Sequence, residues 1–284
     1  MTAAQVVPLA KSLVSASPIQ AVQHIRRMRG GAQSHLIRAS DDFHYVVKFM
    51  NNPQDVRVLA NELFATRLAQ KLGIPVPEPA VIEVSDCLIQ HTEELRCDSG
   101  GQRIPFTSGL CFGSRFITDL TQPGTVLDYL PETTFEKVAN LDDFARVLVL
   151  DKWACNSDGR QCVFTRPPRS RKYRVTFIDH GYCFNAGEWT FPDSPLRGVF
   201  ATNAVYRNVT GWKSFEPALS HAKEMEIDDI QQCAAGIPQE WQGKDADALN
   251  RIIETLHRRS VTIADLITAF RQSSRNPFPN WKGA

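Results

Sequence analysis

Residues 149–161 read VLDKWACNSDGRQ. The apolar helical repeat that opens at Leu141 (LDDFARVLVLDKW, 141–153) runs into them, and Asn156-Ser157-Asp158-Gly159 stops it as a polar loop. Downstream, Cys162–Thr165 and Tyr173–Ile178 (YRVTFI) have the short β-rich pattern of paired strands, joined by the basic turn 166–172. The second strand ends on Asp179, followed by His180 and Gly181. The local order is therefore helix, loop aspartate, hairpin, strand-end aspartate. A carboxylate at a strand end beside a glycine is well placed to hold a metal ion. A loop aspartate ahead of it can accept a hydroxyl proton or orient a nucleophile. Hard oxygen donors without a His/Cys cluster indicate Mg²⁺, not zinc. Either aspartate alone reads equally well as a turn residue or a helix cap; their order favours chemistry.

Three further features lie towards the N-terminus. Val56, Leu59, Ala60, Leu63, Phe64, Leu68, Ala69 and Leu72 recur every three to four residues, which predicts an amphipathic helix ended by Gly73 and barred from continuing by Pro75, Pro77 and Pro79. Before it, 35–39 and 44–50 (HYVVKFM) predict a β-hairpin around Ser40-Asp41-Asp42. Lys48 lies in the second strand among apolar residues, where it needs solvent or an anionic partner. Glu62, fourteen positions on, lies on the helix and can serve as that partner. Ahead of the hairpin, Arg29-Gly30-Gly31-Ala32-Gln33-Ser34-His35 is a glycine turn whose backbone N–H groups can cradle phosphate. Taken singly, the turn reads as a plain turn, Lys48 as an edge lysine and Glu62 as a solvated helix residue.

Composition bounds the rest. The chain has 284 residues, 43% hydrophobic and 22% charged, with net charge +1, which is ordinary for a globular protein of one large domain or two lobes. Charge so balanced exerts no global pull on nucleic acid or an anionic membrane, so any anion site is local. Seven cysteines with no C-x-x-C pair suggest neither a disulfide framework nor zinc, and fit free thiols in a reducing cytoplasm. No run reaches the ~20 apolar residues of a membrane span. Lys11 and the prolines interrupt any leader-like region in residues 1–18.

Glycine turn, strand lysine, helix glutamate, connector, loop aspartate, hairpin and strand-end aspartate follow the order of parts in kinase phosphoryl transfer. From about Arg29 to the C-terminus the chain also resembles the HipA-like kinase family, in its shorter stand-alone bacterial branch. RGGAQSHLI, YVVKF, NELFATRLAQKLGIPVPEP, CFGSRF, VLDKWACNSDGRQ, FIDHGYCFN and IPQEW carry the resemblance. It implies an α+β, protein-kinase-like two-lobed fold. The small β-rich N-terminal lobe would span residues 1–110 and the mostly helical C-terminal lobe 111–284. It implies ATP and Mg²⁺ as cofactors and γ-phosphate transfer to a hydroxyl, with Ser or Thr of a protein the expected acceptor. Lys48 would hold the α/β-phosphates and Glu62 would pair with it. Asp158 would be the catalytic aspartate and Asp179 the metal ligand. Gly30, Gly31, Gln33 and Ser34 would line the phosphate loop, and Phe112–Phe116 would lie near the inter-lobe hinge. Longer family members act as toxins and carry an extra N-terminal region; with about 28 residues before the glycine turn, neither that region nor a toxin role is expected here.

One position departs from the kinase pattern. A metal-binding Asn is expected five residues after the catalytic Asp, and Val163 stands there; Cys162 is a poor Mg²⁺ ligand. Gln161 or Asn156 would substitute, or one Mg²⁺ would suffice. The departure keeps open a nucleotide-binding pseudokinase, nucleotidyl transfer, and a small-molecule or lipid kinase on the same fold. Arg166, Arg169, Arg171, Lys172 and Arg174 read as a solvated hairpin tip. Arg26, Arg27 and Arg29 read as helix surface or as positive field beside the glycine turn, and Cys87–Gln90 as a short strand.

Overall fold

The computed structural model describes residues 18–118, 125–245 and 247–282. The N-terminal stretch read above for a leader falls, except for Pro18, outside the described residues.

The chain begins with a nine-residue strand, β1 (Ile19–Arg27), followed by the expected hairpin of β2 (His35–Ala39) and β3 (His44–Lys48). Helix α1 (Arg57–Lys71) comes next, then β4 (Pro79–Val84) and a short helix, α2 (Asp86–Gln90). A polar hairpin of β5 (Arg96–Ser99) and β6 (Gln102–Pro105) precedes β7 (Gly109–Arg115). Strands β1, β2, β3, β7 and β4 close into a barrel in that order. β7 runs across the 110/111 division read from sequence, so the barrel extends to Arg115. Phe112–Arg115 thus belong to a barrel strand, with Phe112 opposite Lys48. A Cβ on Gly113 would lie 2.5 Å from Ile82 Cγ1, so only glycine lets β7 pack this closely across the barrel.

Two readings are corrected here. Arg26 and Arg27 are on strand β1, not a helix; two register shifts against β2 break its alternation and hide the strand. Cys87–Gln90 is helical because Ser85 Oγ accepts the Leu88 N–H at 3.2 Å and caps the turn.

The second part of the chain carries β8 (Thr125–Leu127), α3 (Asp143–Trp153), β9 (Gln161–Arg166) and β10 (Arg174–Ile178). It continues with α4 (Ala218–Glu224), α5 (Ile227–Ala234), α6 (Ala248–Arg259) and α7 (Ile263–Arg271). β10, β9 and β8 form one antiparallel sheet. From sequence, 216–235 reads as one helix; Met225-Glu226 adopt extended backbone and separate α4 from α5.

The apolar core explains how the parts hold together. The barrel interior, with Ile37, Val47, Phe49, Ile82 and Cys111, forms one cluster. The apolar side of α1 joins the larger cluster, with Phe144, Leu148, Trp153, Phe177 and Trp241. α1 follows a barrel strand in sequence yet buries Leu63, Phe64 and Leu68 against the helical part. Two polar ties run the same way: Trp241 Nε1 donates to the Leu110 carbonyl at 3.0 Å, and Arg67 donates to the Cys233 carbonyl at 3.2 Å. All seven cysteines are free thiols, six of them buried. Among the described residues, no helix is long and apolar enough to cross a membrane.

Candidate active site

Lys48 ends β3, which is paired on both sides by β2 and β7, so it does not lie at an open sheet edge. Only 8% of the residue is exposed. Its Nζ donates to Glu62 Oε1 from α1 and, at 2.9 Å, to Asp179 Oδ1 at the end of β10. The other Glu62 oxygen accepts the His180 N–H at 3.0 Å. Three elements distant in sequence therefore meet on one ammonium.

Charge explains why this cluster is tolerated in a buried place. Burial disfavours the Lys48 ammonium, but the two carboxylates override it and raise its pKa. Burial likewise opposes ionisation of Asp179, yet Lys48 holds that carboxyl down to about 2. Burial, reinforced by the Asp179 charge, pushes the Glu62 carboxyl up against the pull of Lys48. Lys48 and Asp179 are thus a cation and an anion at neutral pH.

The Asp179-His180-Gly181 turn is pressed onto α1. A Cβ on Gly181 would lie 2.4 Å from Val58 Cγ1 and 3.2 Å from Glu62 Oε1. Asp179 itself has φ +60°, the left-handed region that residues other than glycine seldom adopt. Such strain persists where the surroundings over-determine it, and it gathers at functional sites.

Asp158 follows α3 on an exposed loop. Asn156 Oδ1 accepts its backbone N–H at 3.1 Å, and Asp158 Oδ1 accepts the Gly159 N–H at 2.7 Å. Gln161 Nε2 donates to Asp158 Oδ2 at 3.3 Å. Gln161 is also paired with Ile178 in the β9–β10 register, so the Asp158 loop and the Asp179 turn leave the same end of one hairpin. Asn156 is committed elsewhere, because its Nδ2 donates to Asp151 Oδ1 at 2.9 Å. Val163 is buried in β9. Burial pushes the Cys162 thiol up to about 12, which keeps it protonated. Of the substitutes for the missing Asn, only Gln161 has an amide oxygen facing outward without a protein donor among the described residues.

The sequence reading missed Arg160 and Asp151. Both side chains are 1% exposed and form a buried ion pair. Arg160 Nε lies 3.0 Å from Asp151 Oδ2, and Arg160 also donates to the Ile178 carbonyl at 2.9 Å and the Asp179 carbonyl at 3.3 Å. One guanidinium thus links α3, the Asp158 loop and the Asp179 turn. Nine positions separate the pair across a loop, so no periodicity announces it. The signal on offer was Asp151 inside the apolar run Val147–Trp153; Arg160, in a polar loop, offered none.

The glycine turn lies between β1 and β2, closed by Met28 N–H to the Ser34 carbonyl at 2.8 Å and Gln33 N–H to the Gly30 carbonyl at 3.1 Å. Gly30 has φ +122°, and a Cβ there would meet open space. The Gln33 side chain is engaged away from the turn. Its Oε1 accepts from Arg27 at 2.8 Å and the Asp98 N–H at 2.7 Å, and its Nε2 donates to the Asp98 carbonyl at 2.9 Å. The β5–β6 hairpin thereby anchors the turn, and Gln33 commits its side chain to Arg27 and Asp98 and its N–H to the Gly30 carbonyl.

The HipA-like kinase family model matches residues 21–266. The chain belongs to the HipA-like kinase family. It is a phosphotransferase of the kinase type. No curated protein sequence matches it. Among solved structures, it is similar to the proinflammatory kinase CtkA of Helicobacter pylori, at 12% identity over 86% of this chain and 99% of that one, with a TM-score of 0.51. A Golgi casein kinase aligns at 15% identity over 92% and 75% of the two chains (TM-score 0.52), and hydra Fam20 at 12% over 92% and 89% (TM-score 0.53). At such identities the likeness is one of fold: this kinase has the α+β, protein-kinase-like architecture.

Proposed function

We propose that this kinase uses ATP and Mg²⁺ to transfer the γ-phosphate to a hydroxyl, with a serine or threonine of a protein as the acceptor. The observation that carries the reading is the convergence of Lys48, Glu62 and Asp179 on one buried contact beside the Asp158 loop. Lys48, held by Glu62, is aimed to meet the α/β-phosphates. The Gly30-Gly31 turn offers backbone N–H groups to the phosphates, with Ser34 at its end. Asp158 is exposed to a substrate and orients the attacking hydroxyl, accepting its proton.

The residues present fit a divalent cation. Asp179 is a carboxylate at neutral pH and a quarter exposed, and Gln161 adds a hard amide oxygen from the same hairpin end. Mg²⁺, when bound, neutralises phosphate charge. A Golgi casein kinase of similar fold, at 13% identity and a TM-score of 0.50, is described with Mn/ADP bound.

Incubation with α- or γ-labelled ATP and Mg²⁺ tests the reading. Transfer of the γ label alone to protein supports it. Transfer of the α label would replace it with nucleotidylation, and label on metabolites would replace the protein acceptor. Val163 favours a second reading, because the usual second metal ligand is absent from its place. A nucleotide-binding pseudokinase would show ATP-dependent thermal stabilisation with no label transferred.

A further inference from the structure

We propose that Asn61 is a positioning residue that clamps the segment after Asp179 to the helix carrying Glu62, so that the Lys48–Glu62 pair is assembled without modification of that segment. The proposal rests on the phosphotransferase reading above and adds how its site is held in working order.

The segment has an unusual backbone. Phe184, Asn185, Ala186 and Trp189 have φ of 58°, 59°, 57° and 53°, all left-handed and none glycine. Such a run persists only where its surroundings impose it. Phe184 is fully buried with its ring 5.3 Å from that of Phe64 on α1, and its N–H reaches the Ala154 carbonyl at 2.6 Å. Asn61 supplies the rest. Its Nδ2 donates to the Gly181 and Ala186 carbonyls, both at 2.8 Å, and its Oδ1 accepts from Trp189 Nε1 at 2.7 Å. Two carbonyls and one indole N–H admit a single orientation of the amide. One turn earlier, Arg57 donates to the Gly187 carbonyl at 2.8 Å and stands 4.7 Å over the Trp189 ring. A Cβ on Gly187 would lie 2.7 Å from Asp55 Cγ, so the segment also abuts the start of α1.

Asn61 and Glu62 are neighbours, and so are their partners: Glu62 takes the His180 N–H and Asn61 the Gly181 carbonyl. The grip on the segment and the grip on Lys48 therefore share one turn of α1. Many kinases order the equivalent segment by phosphorylation, through new arginine–phosphate pairs. Here an amide, an indole and backbone carbonyls make the connection, and the Thr190 hydroxyl is already engaged by Asn185 at 2.9 Å.

The test compares the full chain with Asn61→Leu, Trp189→Phe and the double variant. It reads amide exchange of residues 181–190 and the rate of γ-phosphate transfer at saturating ATP and Mg²⁺. Asn61→Leu is expected to speed exchange in that segment and lower the rate by about tenfold or more, with α3 and α6 still protected. Trp189→Phe, which removes the N–H and part of the ring beneath Arg57, should lower the rate less, and the double variant should be less slow than the product of the two single effects. Phosphatase treatment of the wild-type chain should leave its rate unchanged. Unchanged exchange in Asn61→Leu, a wild-type rate in its folded fraction, multiplying effects in the double variant, or loss of rate on phosphatase treatment would each overturn the proposal. Should Asn61→Leu fail to fold, Trp189→Phe decides: faster exchange with a slower rate supports the clamp, and wild-type behaviour in both overturns it. If the wild-type chain neither binds nor turns over ATP, the functional reading falls, and the exchange arm alone decides whether Asn61 holds the segment.

Discussion

Arg160 and Asp151 form an ion pair from which water is almost wholly excluded. The geometry is forked, and the remaining Arg160 donors fall on the Ile178 and Asp179 carbonyls. Removing one partner would strand the other charge in the core. Asp151→Ala is therefore expected to lower unfolding free energy by about 3–5 kcal/mol. Urea denaturation measures it; a loss below about 1 kcal/mol would refute the structural role assigned to the pair.

Asp158→Asn should act in the opposite way. The residue is exposed and its backbone contacts survive in asparagine. Stability should stay within about 0.5 kcal/mol of wild type, while γ-phosphate transfer falls by about a hundredfold or more. Full transfer by the variant would remove Asp158 from the chemistry.

Asp179→Asn and Gln161→Leu separate the two expected metal ligands. The first takes away the only carboxylate of the pair, so Mg²⁺ should no longer stimulate transfer at any concentration. The second leaves that carboxylate and should raise the Mg²⁺ needed for half-maximal rate by about tenfold. Identical Mg²⁺ titrations for Gln161→Leu and wild type would exclude the amide.

Gly181→Ala tests the contact between the Asp179 turn and α1. The added methyl would meet Val58 Cγ1 at 2.4 Å, so α1 or the turn has to move. A loss of about 1–3 kcal/mol is expected, together with weaker ATP binding, because Glu62 Oε1 is the next atom in the way. Unaltered ATP titration with reduced stability would show that the turn can shift without disturbing Lys48.

Two histidines set an acid limit. Burial, with the charges of His24, Arg27 and Arg103, holds His35 down to about 4, and burial with Arg160 holds His180 well below its ordinary value. Both are neutral in the fold, whereas the unfolded chain takes up protons near pH 6.5. Their contribution is complete above that pH and is lost as pH falls towards the folded values. Unfolding midpoints should therefore drop between pH 7 and 4, and the His35 imidazole resonances should not titrate above about pH 5. Titration of His35 near 6.5 in the folded chain would refute this.

Much of the fold was legible where one face is buried and the period is clean: β2 and β3, α1, α3 and the β9–β10 hairpin all follow their apolar spacing. β1 was not legible, because its two bulges against β2 shift the alternation partway along the strand. The β5–β6 hairpin hid behind polar strands, although Gly100 and Gly101, both at positive φ, mark its turn. In the candidate site, Lys48, Glu62 and Asp179 were legible through the order of parts along the chain, since each taken singly reads as an ordinary surface or turn residue. Gln33 was singled out for its place in the glycine turn, but its side chain belongs to Asp98, a partner 65 positions away. Asn61 acts wholly through partners 120 or more positions away, and Asp151 and Arg160 meet across a loop, so single-sequence periodicity carries no trace of them.

The shared core beneath α1 has a consequence for dividing the molecule. A fragment ending after β7 would keep the closed barrel yet leave Leu63, Phe64 and Leu68 without the surface that covers them. The remaining fragment, from β8 onward, would lack the same helix from its interior. Each half would carry the complement of the other's exposed patch, so the two pieces, made separately and mixed, should find one another and restore the Lys48–Asp179 contact by association.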